Sequence, residues 1–313
     1  MKVAVVAHSG KTLGGGLPEL RRVLAAAGVE NPFWCEVPKS RKAPAQLRRA
    51  LKDGAELIYV WGGDGMVQRS VDVLAGSKTQ LAIVPAGTAN LFATNLGIPQ
   101  DVEEAVAIGL RGERRKLDIG RFNGERFGVM AGVGFDAALI RRADDSGLKD
   151  RIGRVAYVWA GSESLRAKPF RAEIEVDGAG WYKGKATCIL VGNVADIFAG
   201  IDAFEDAHPD DGLLELGVVN AEGLLQWGRA LARTALGTSA KSPFMQETKA
   251  HNVKVKLSRK VLYELDGGDR VKVKSFKVKV EPGAVTVCVP EGGSKQLSKA
   301  KVSASERVEM ARA

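Results

Sequence analysis

Two glycine-rich turns carry the residues of this chain best suited to chemistry. The first is Trp61-Gly62-Gly63-Asp64-Gly65-Met66, which follows the apolar run Leu57-Ile58-Tyr59-Val60 and opens a helical segment over 67–74. The second is Val84-Pro85-Ala86-Gly87-Thr88-Ala89-Asn90, which closes the run Leu81-Ala82-Ile83-Val84 and opens another helical segment over 91–96. Each reads as strand, turn and helix N-terminus, where backbone N–H groups without helical partners bind phosphate. Glycine serves such a turn by accepting positive φ and by letting a ligand come close to the backbone. Two such turns on neighbouring parallel strands can hold one polyphosphate from both sides. Asp64 adds a hard carboxylate of the kind taken by a divalent cation on phosphate oxygens. Thr88 and Asn90 are candidates for phosphate or ribose oxygens. One turn of this composition also serves plain strand-to-helix geometry. The pair, with its Pro-x-Gly-Thr-x-Asn element, points to a nucleotide phosphate site.

The loop His8-Ser9-Gly10-Lys11-Thr12, followed by Gly14-Gly15-Gly16, has the look of a Walker A element. That element needs a glycine five residues before Gly10, where Val5 stands, so the assignment fails. Ser9, Gly10 and the loop's N–H groups remain candidates for nucleotide contact, against a plain flexible glycine loop.

The elements that must position these turns alternate in type. Strands are expected at 3–7, 33–37, 56–61 and 81–84, and helices at 17–27 and 44–52. This βαβα order implies a mostly parallel, helix-covered sheet, whose ligands sit beyond the carboxyl ends of the strands. Both glycine turns fall there. From about Arg121 an apolar/polar period of two takes over, at 172–176, 187–191, 213–219, 253–257, 272–280 and 285–289, as in half-solvated strands. The expected fold is an α/β domain with a mostly parallel sheet followed by a mainly antiparallel, β-sandwich-like domain. Helical insertions are expected at 151–165 and 223–236, and a polar tail from Gly292 with a terminal helix from Ser303. The lysines of 272–280 read as solubility and edge protection.

Composition limits the function classes. At 313 residues the chain suits two domains. With 45% hydrophobic and 27% charged residues it is of soluble globular type, and no apolar run has bilayer-spanning length. The opening run 3–7 leads into polar residues rather than a signal cleavage pattern. Cys35, Cys188 and Cys288 are odd in number and lack metal spacing, which suits a reducing cytosol. A net charge of +9 favours anionic partners. Nucleotide and anionic membrane both qualify, whereas no nucleic-acid-binding pattern is present. A homodimer is compatible with the sequence.

With these residues in hand, the chain resembles the diacylglycerol kinase catalytic family, of the bacterial lipid kinase type. The resemblance rests on the two turns and continues through Gly132-Val133-Gly134-Phe135-Asp136-Ala137, Ile152-Gly153-Arg154-Val155-Ala156-Tyr157, Asp211-Gly212-Leu213-Leu214-Glu215 and Tyr263-Glu264-Leu265-Asp266-Gly267. It implies two domains, residues 1–120 joined by 286–313 for ATP and residues 121–285 for the lipid, with the ATP cleft between them. It implies ATP and Mg²⁺ as cofactors, a lipid hydroxyl as acceptor with diacylglycerol leading, and a cytoplasmic protein peripheral to the membrane. Asp64 then organises Mg²⁺ at the transferred phosphate, Ser40 lies near a hydroxyl that contacts ATP, and His208, Asp211 and Leu213 match a structural Mg²⁺ site built from one carboxylate and two carbonyls. An ordinary tight turn is the equal alternative for the last three. The family's general base is the acid after the late Asp-Gly. Here Gly268 stands at that position with Asp269 one residue late, so Asp269, Asp266 or water is left as the acceptor. Met66 and Arg69 depart from the family's usual Thr and Glu. Arg141, Arg142, Lys149, Arg151 and Arg154 around 155–159 form either a membrane-docking face or an ordinary amphipathic helix. NAD kinase, which shares the first turn, and a catalytically weak nucleotide- or lipid-binding regulator are the competing readings.

Overall fold

A computed structural model of the chain describes residues 1–134, 169–196, 203–204, 206–221 and 245–292. The chain divides into two compact units, Met1–Lys116 with the segment from Val285, and Leu117–Ala284.

The first unit alternates strands and helices: β1 (Val3–His8), α1 (Gly16–Ala26), β2 (Phe33–Val37), α2 (Ala43–Lys52), β3 (Leu57–Gly62), α3 (Asp64–Leu74), β4 (Gln80–Pro85), the short α4 (Leu91–Asn95) and α5 (Val102–Arg111). A single 3-10 turn, Ser40–Lys42, precedes α2. The strands run in the order β2-β1-β3-β4, all parallel, and Thr286 and Val287 near the end of the described chain pair parallel with Gln80 and Leu81. β1 and β3 are apolar almost throughout because helices cover both faces of the sheet. Val5, Tyr59, Trp61 and Val84 pack there against Leu20 and Leu24 of α1 and Val106 of α5. α5 falls where no helix was expected, yet its start carries a recognisable signal: Asp101 caps it, accepting from the Glu104 N–H at 2.8 Å.

Chain direction across this sheet reverses at β1, since β2 lies on one side of it and β3 on the other. The reversal leaves a crevice at the carboxyl edge between β1 and β3, where doubly wound sheets take their ligands. The loops after β1, β2, β3 and β4 all open at that edge.

The second unit is antiparallel. β5 (Glu113–Phe122) leads into it, followed by β6 (Glu125–Phe127), β7 (Met130–Val133), β8 (Phe170–Val176), β9 (Ala179–Ala186), β10 (Cys188–Gly192), β11 (Leu214–Val219), β12 (Met245–Ala250), β13 (Asn252–Leu265) and β14 (Gly268–Val289). The order is β12-β11-β10-β7-β13-β14, with β8 and β9 beside the first half of β13. Inward residues such as Ile189, Leu216, Val255 and Phe276 form one core, in which the Phe122 ring stacks on Tyr263 and Phe276 at 4.4 and 4.6 Å. A mostly parallel α/β unit followed by an antiparallel β unit is the fold class the sequence implied.

The differences lie in strand lengths. β13 and β14 run far beyond the expected 253–257 and 272–280, because pairing continues through a register shift between Lys256 and Val261 where the apolar alternation breaks. β9 escaped notice because it is a glycine- and lysine-rich strand, AGWYKGKA, with little alternation. Several sequence readings lie outside the described residues: the helices at 151–165 and 223–236, Phe135-Asp136-Ala137, the segment 152–157, the basic face around Trp159 and the terminal helix. Among the described residues no helix is long and apolar enough to cross a membrane.

Candidate functional site

The first turn is as short as a strand-to-helix connection can be. β3 ends at Gly62 and α3 starts at Asp64, with Gly63 between them in an extended conformation. No side chain caps α3, and its first N–H groups have no helical acceptor. A Cβ on Gly87 would lie 2.4 Å from the Gly63 Cα, and one on Gly63 would lie 3.0 Å from the Gly87 Cα. The two turns are therefore in direct backbone contact, and neither position has room for a side chain. A Cβ on Gly62 would meet Met66 Cγ at 2.5 Å. Met66 itself is buried, so its departure from the family's threonine adjusts the support of the turn rather than its exposed surface.

The second turn is held from within. Asn90 takes the left-handed conformation (φ +49°). Its Oδ1 accepts from the Gly87 N–H at 2.9 Å and its Nδ2 donates to the Gly87 carbonyl at 2.8 Å. Gln100 donates to the same carbonyl at 3.0 Å. Asn90 is buried and its amide is engaged by Gly87, so it shapes the turn, leaving Thr88 exposed at the tip. Gln100 was missed in the sequence because nothing local marks a side chain that reaches back thirteen residues.

Around these turns the loop after β1 is fixed by Ser9 N–H to the Val37 carbonyl (3.0 Å), Gly10 N–H to His8 Nδ1 (3.1 Å) and Trp61 Nε1–H to the Lys11 carbonyl (3.0 Å). Ser9 and Gly10 stay exposed. Burial, helped by the Lys11 charge, holds the His8 ring below its usual pKa. Gly15 N–H donates to Glu19 Oε2 at 2.7 Å, so the start of α1 is met by its own carboxylate and is no anion site. Ser40 lies beside the first turn, its Oγ 3.5 Å from where a Cβ on Gly65 would be.

Asp64 is the electrostatic centre of the first unit's site. Its Oδ1 is buried without a hydrogen-bond partner. Burial raises its pKa, and the N–H groups of Leu91, Phe92 and Asn90 at the start of α4, with that of Asp64 itself, act in the opposite direction. A buried carboxylate oxygen lacking a donor suits a cation or a cation-bound water. Among the described residues no group of three or more His, Cys, Asp or Glu is placed to hold a metal. A divalent ion at Asp64 would therefore need oxygens from elsewhere, as Mg²⁺ on a polyphosphate has.

In the second unit the late Asp-Gly is a two-residue hairpin turn. Asp266 (φ +45°) and Gly267 (φ +72°) join β13 to β14, the Asp-Gly pairing that a type I′ turn requires. The Asp266 carboxylate accepts from the N–H groups of Gly128 (2.8 Å), Val129 (2.8 Å) and Met130 (2.9 Å). Three backbone donors on one buried carboxylate make it a clamp on the start of β7, not a free base. Gly268 is the first residue of β14, and a Cβ there would lie 2.8 Å from Arg270 Nη1. Arg270 is paired with Glu125 through Nη2 at 2.5 Å and Nε at 2.9 Å. A guanidinium thus fills the space beside the position of the missing acid. Asp269 sits opposite Glu264 in the ladder, and strand alternation turns its side chain to the face opposite that of 268. A one-residue shift changes face, so Asp269 does not stand in geometrically for an acid at 268.

The turn at His208, Asp211 and Leu213 is closed by protein groups. Asp211 N–H reaches the His208 carbonyl at 3.4 Å, and Leu213 N–H donates to Asp211 Oδ1 at 3.0 Å. Lys249 Nζ is 3.2 Å from Asp211 Oδ2. Asp118, buried nearby, accepts from Gly212 N–H (2.6 Å) and Gly283 N–H (2.7 Å). Both oxygens of Asp211 are engaged, so these residues as they stand do not fit a divalent cation.

Comparison with solved structures supports the fold assignment. The chain is similar to a diacylglycerol kinase from Bacillus anthracis (TM-score 0.71, 20% identity, covering 92% of this chain and 96% of that one). It also resembles an NAD kinase from Archaeoglobus fulgidus crystallised with ATP (TM-score 0.57, 12% identity, 96% and 98% covered). The fold is thus one shared by lipid kinases and NAD kinases. Sequence divides the two. Residues 2–122 match the diacylglycerol kinase catalytic domain, and residues 129–289 match the YegS C-terminal NAD kinase beta sandwich-like domain. A diacylglycerol kinase of Bacillus subtilis is 33% identical over 80% of this chain and 83% of its own length, and one of Staphylococcus carnosus is 28% identical over 80% and 82%. The chain belongs to the diacylglycerol kinase family of lipid kinases.

Proposed function

We propose that the protein transfers the γ-phosphate of ATP to the hydroxyl of a lipid of the diacylglycerol class. The observation that carries this reading is the backbone contact of Gly63 with Gly87 under the uncapped start of α3, which makes a floor too close for side chains and open to phosphate. In this reading the N–H groups of Gly65, Thr88 and Ala89, which face no protein acceptor among the described residues at the two turns, bind phosphate oxygens. Thr88, Ser9, Gly10 and Ser40 make the nearby polar contacts. Asp64 orients the Mg²⁺ that accompanies the nucleotide, and that ion supplies charge neutralisation at the phosphates. Phosphoryl transfer makes small demands on covalent help from the protein, so an acid at 268 can be dispensed with and the hydroxyl proton passes to solvent or to a phosphate oxygen. The enzyme acts peripherally on membranes, where the net charge of +9 favours anionic lipid.

The test is incubation with γ-labelled ATP, Mg²⁺ and mixed micelles of diacylglycerol, monoacylglycerol, phosphatidylglycerol and sphingoid base, with NAD present. Label in diacylglycerol is expected. Label in another lipid keeps the kinase and changes the acceptor, and label in NADP would replace the reading with NAD kinase. ATP binding without transfer would make the protein a regulator.

A further inference from the structure

Lys249, on β12, touches three oxygens at once. Its Nζ lies 3.2 Å from Asp211 Oδ2, 3.0 Å from Glu215 Oε1 and 3.0 Å from the Asp206 carbonyl. Asp211 belongs to the turn that leads into β11, and Glu215 is the second residue of β11, paired across the ladder with Lys249 itself. The register therefore delivers the ammonium to the turn rather than leaving it to a chance rotamer. Two carboxylates and a carbonyl converging on one point form the oxygen set that a hard cation takes, and here a side-chain ammonium occupies that point. Glu215 is nearly buried, with 12% of its side chain exposed, so its charge needs a partner nearby. Burial raises the Glu215 pKa while Lys249 opposes the rise, and the two carboxylates raise that of Lys249.

We infer that Lys249 is a built-in cation that replaces a divalent metal at the Asp211 turn and makes the second unit independent of metal for its folding. The chemistry is simple substitution. One positive charge carried by the chain balances part of the two negative charges, and its three N–H donors satisfy the three oxygens. Removing that charge leaves two carboxylates facing one another, a pair that a divalent ion can bridge. The inference does not depend on the kinase reading, since it concerns folding and cation binding without nucleotide.

The experiment measures Mn²⁺ binding and thermal unfolding of the nucleotide-free protein, as wild type, Lys249→Met, Lys249→Arg and Asp211→Asn. The wild type is expected to unfold at the same temperature in EDTA and in millimolar Mg²⁺ or Ca²⁺. Lys249→Met should unfold at lower temperature in EDTA, recover on adding divalent cation, and bind Mn²⁺ at least tenfold more tightly than wild type. Lys249→Arg should behave as wild type, which keeps a test in hand if the methionine variant does not fold. A wild-type stabilisation by divalent cation that survives Asp64→Asn and vanishes in Asp211→Asn would overturn the inference. So would a Lys249→Met protein that matches wild type in EDTA and ignores added metal.

Discussion

Asp64, the residue proposed to orient Mg²⁺, shows at the residue scale how a functional role can be set against stability. An acid whose pKa is raised in the fold binds protons more strongly folded than unfolded. Its contribution to stability is therefore greatest below its unfolded value, 3.8, and declines as pH rises through the raised folded value. Asp64→Asn removes that penalty at neutral pH and places an NH₂ where an oxygen has no partner. Without ligand, the variant should be more stable by about 1 kcal/mol, seen as a rise of about 2–4 °C in Tm, while kinase turnover falls to near zero. A fall in Tm at pH 7, with no gain of relative stability above pH 4, would show that the carboxylate is not penalised as its burial implies. Gly87→Ala acts in the opposite direction. The added methyl meets the Gly63 backbone at 2.4 Å, and relief by backbone movement costs about 1–3 kcal/mol. Its expected effect is a more than tenfold rise in the Kd for ATP, read by calorimetry, together with a lowered Tm.

At the scale of elements, the hairpin between β13 and β14 decides what the late Asp-Gly does. Its two residues have positive φ and reverse the chain, and the Asp266 carboxylate holds three N–H groups at the start of β7. Asp266→Ala leaves those buried donors unpaired and should cost about 2–4 kcal/mol, read as a lower urea midpoint with unchanged slope. Asp269 lies one residue further along β14 and faces the other way. Asp269→Asn should lower kcat less than tenfold and leave the pH–rate profile unchanged, and a hundredfold loss would restore it as the base. The strand and turn signals were legible at this scale, since an Asp-Gly between two alternating segments is a hairpin pattern. What could not be read was the partner of each side chain. Arg270 beside 268, Gln100 beneath the second turn and Lys249 beside Asp211 each arrive from ladder register or a distant loop.

For the whole molecule, the parallel sheet with its reversal at β1 gathers four loops at one edge, and the antiparallel unit carries the family's later motifs. If the enzyme works at anionic membranes as proposed, it should lose activity on anionic vesicles as salt screens its charge, with a Debye length of about 8 Å at physiological ionic strength. Activity on neutral detergent micelles should change little over the same range. Residue order by itself determined the fold class, the two glycine turns and the family, because apolar periodicity and glycine placement are local properties that survive in a linear reading. The tertiary structure alone decided that Gly63 and Gly87 touch, that Asp64 has a buried oxygen without a partner, that residues 268 and 269 lie on opposite faces of β14, and that the Lys249 ammonium sits at the Asp211 turn, which the sequence left open between a metal site and a plain turn. These are facts of distance between segments far apart in the chain, and such distances arise only when strand register and packing bring the segments together.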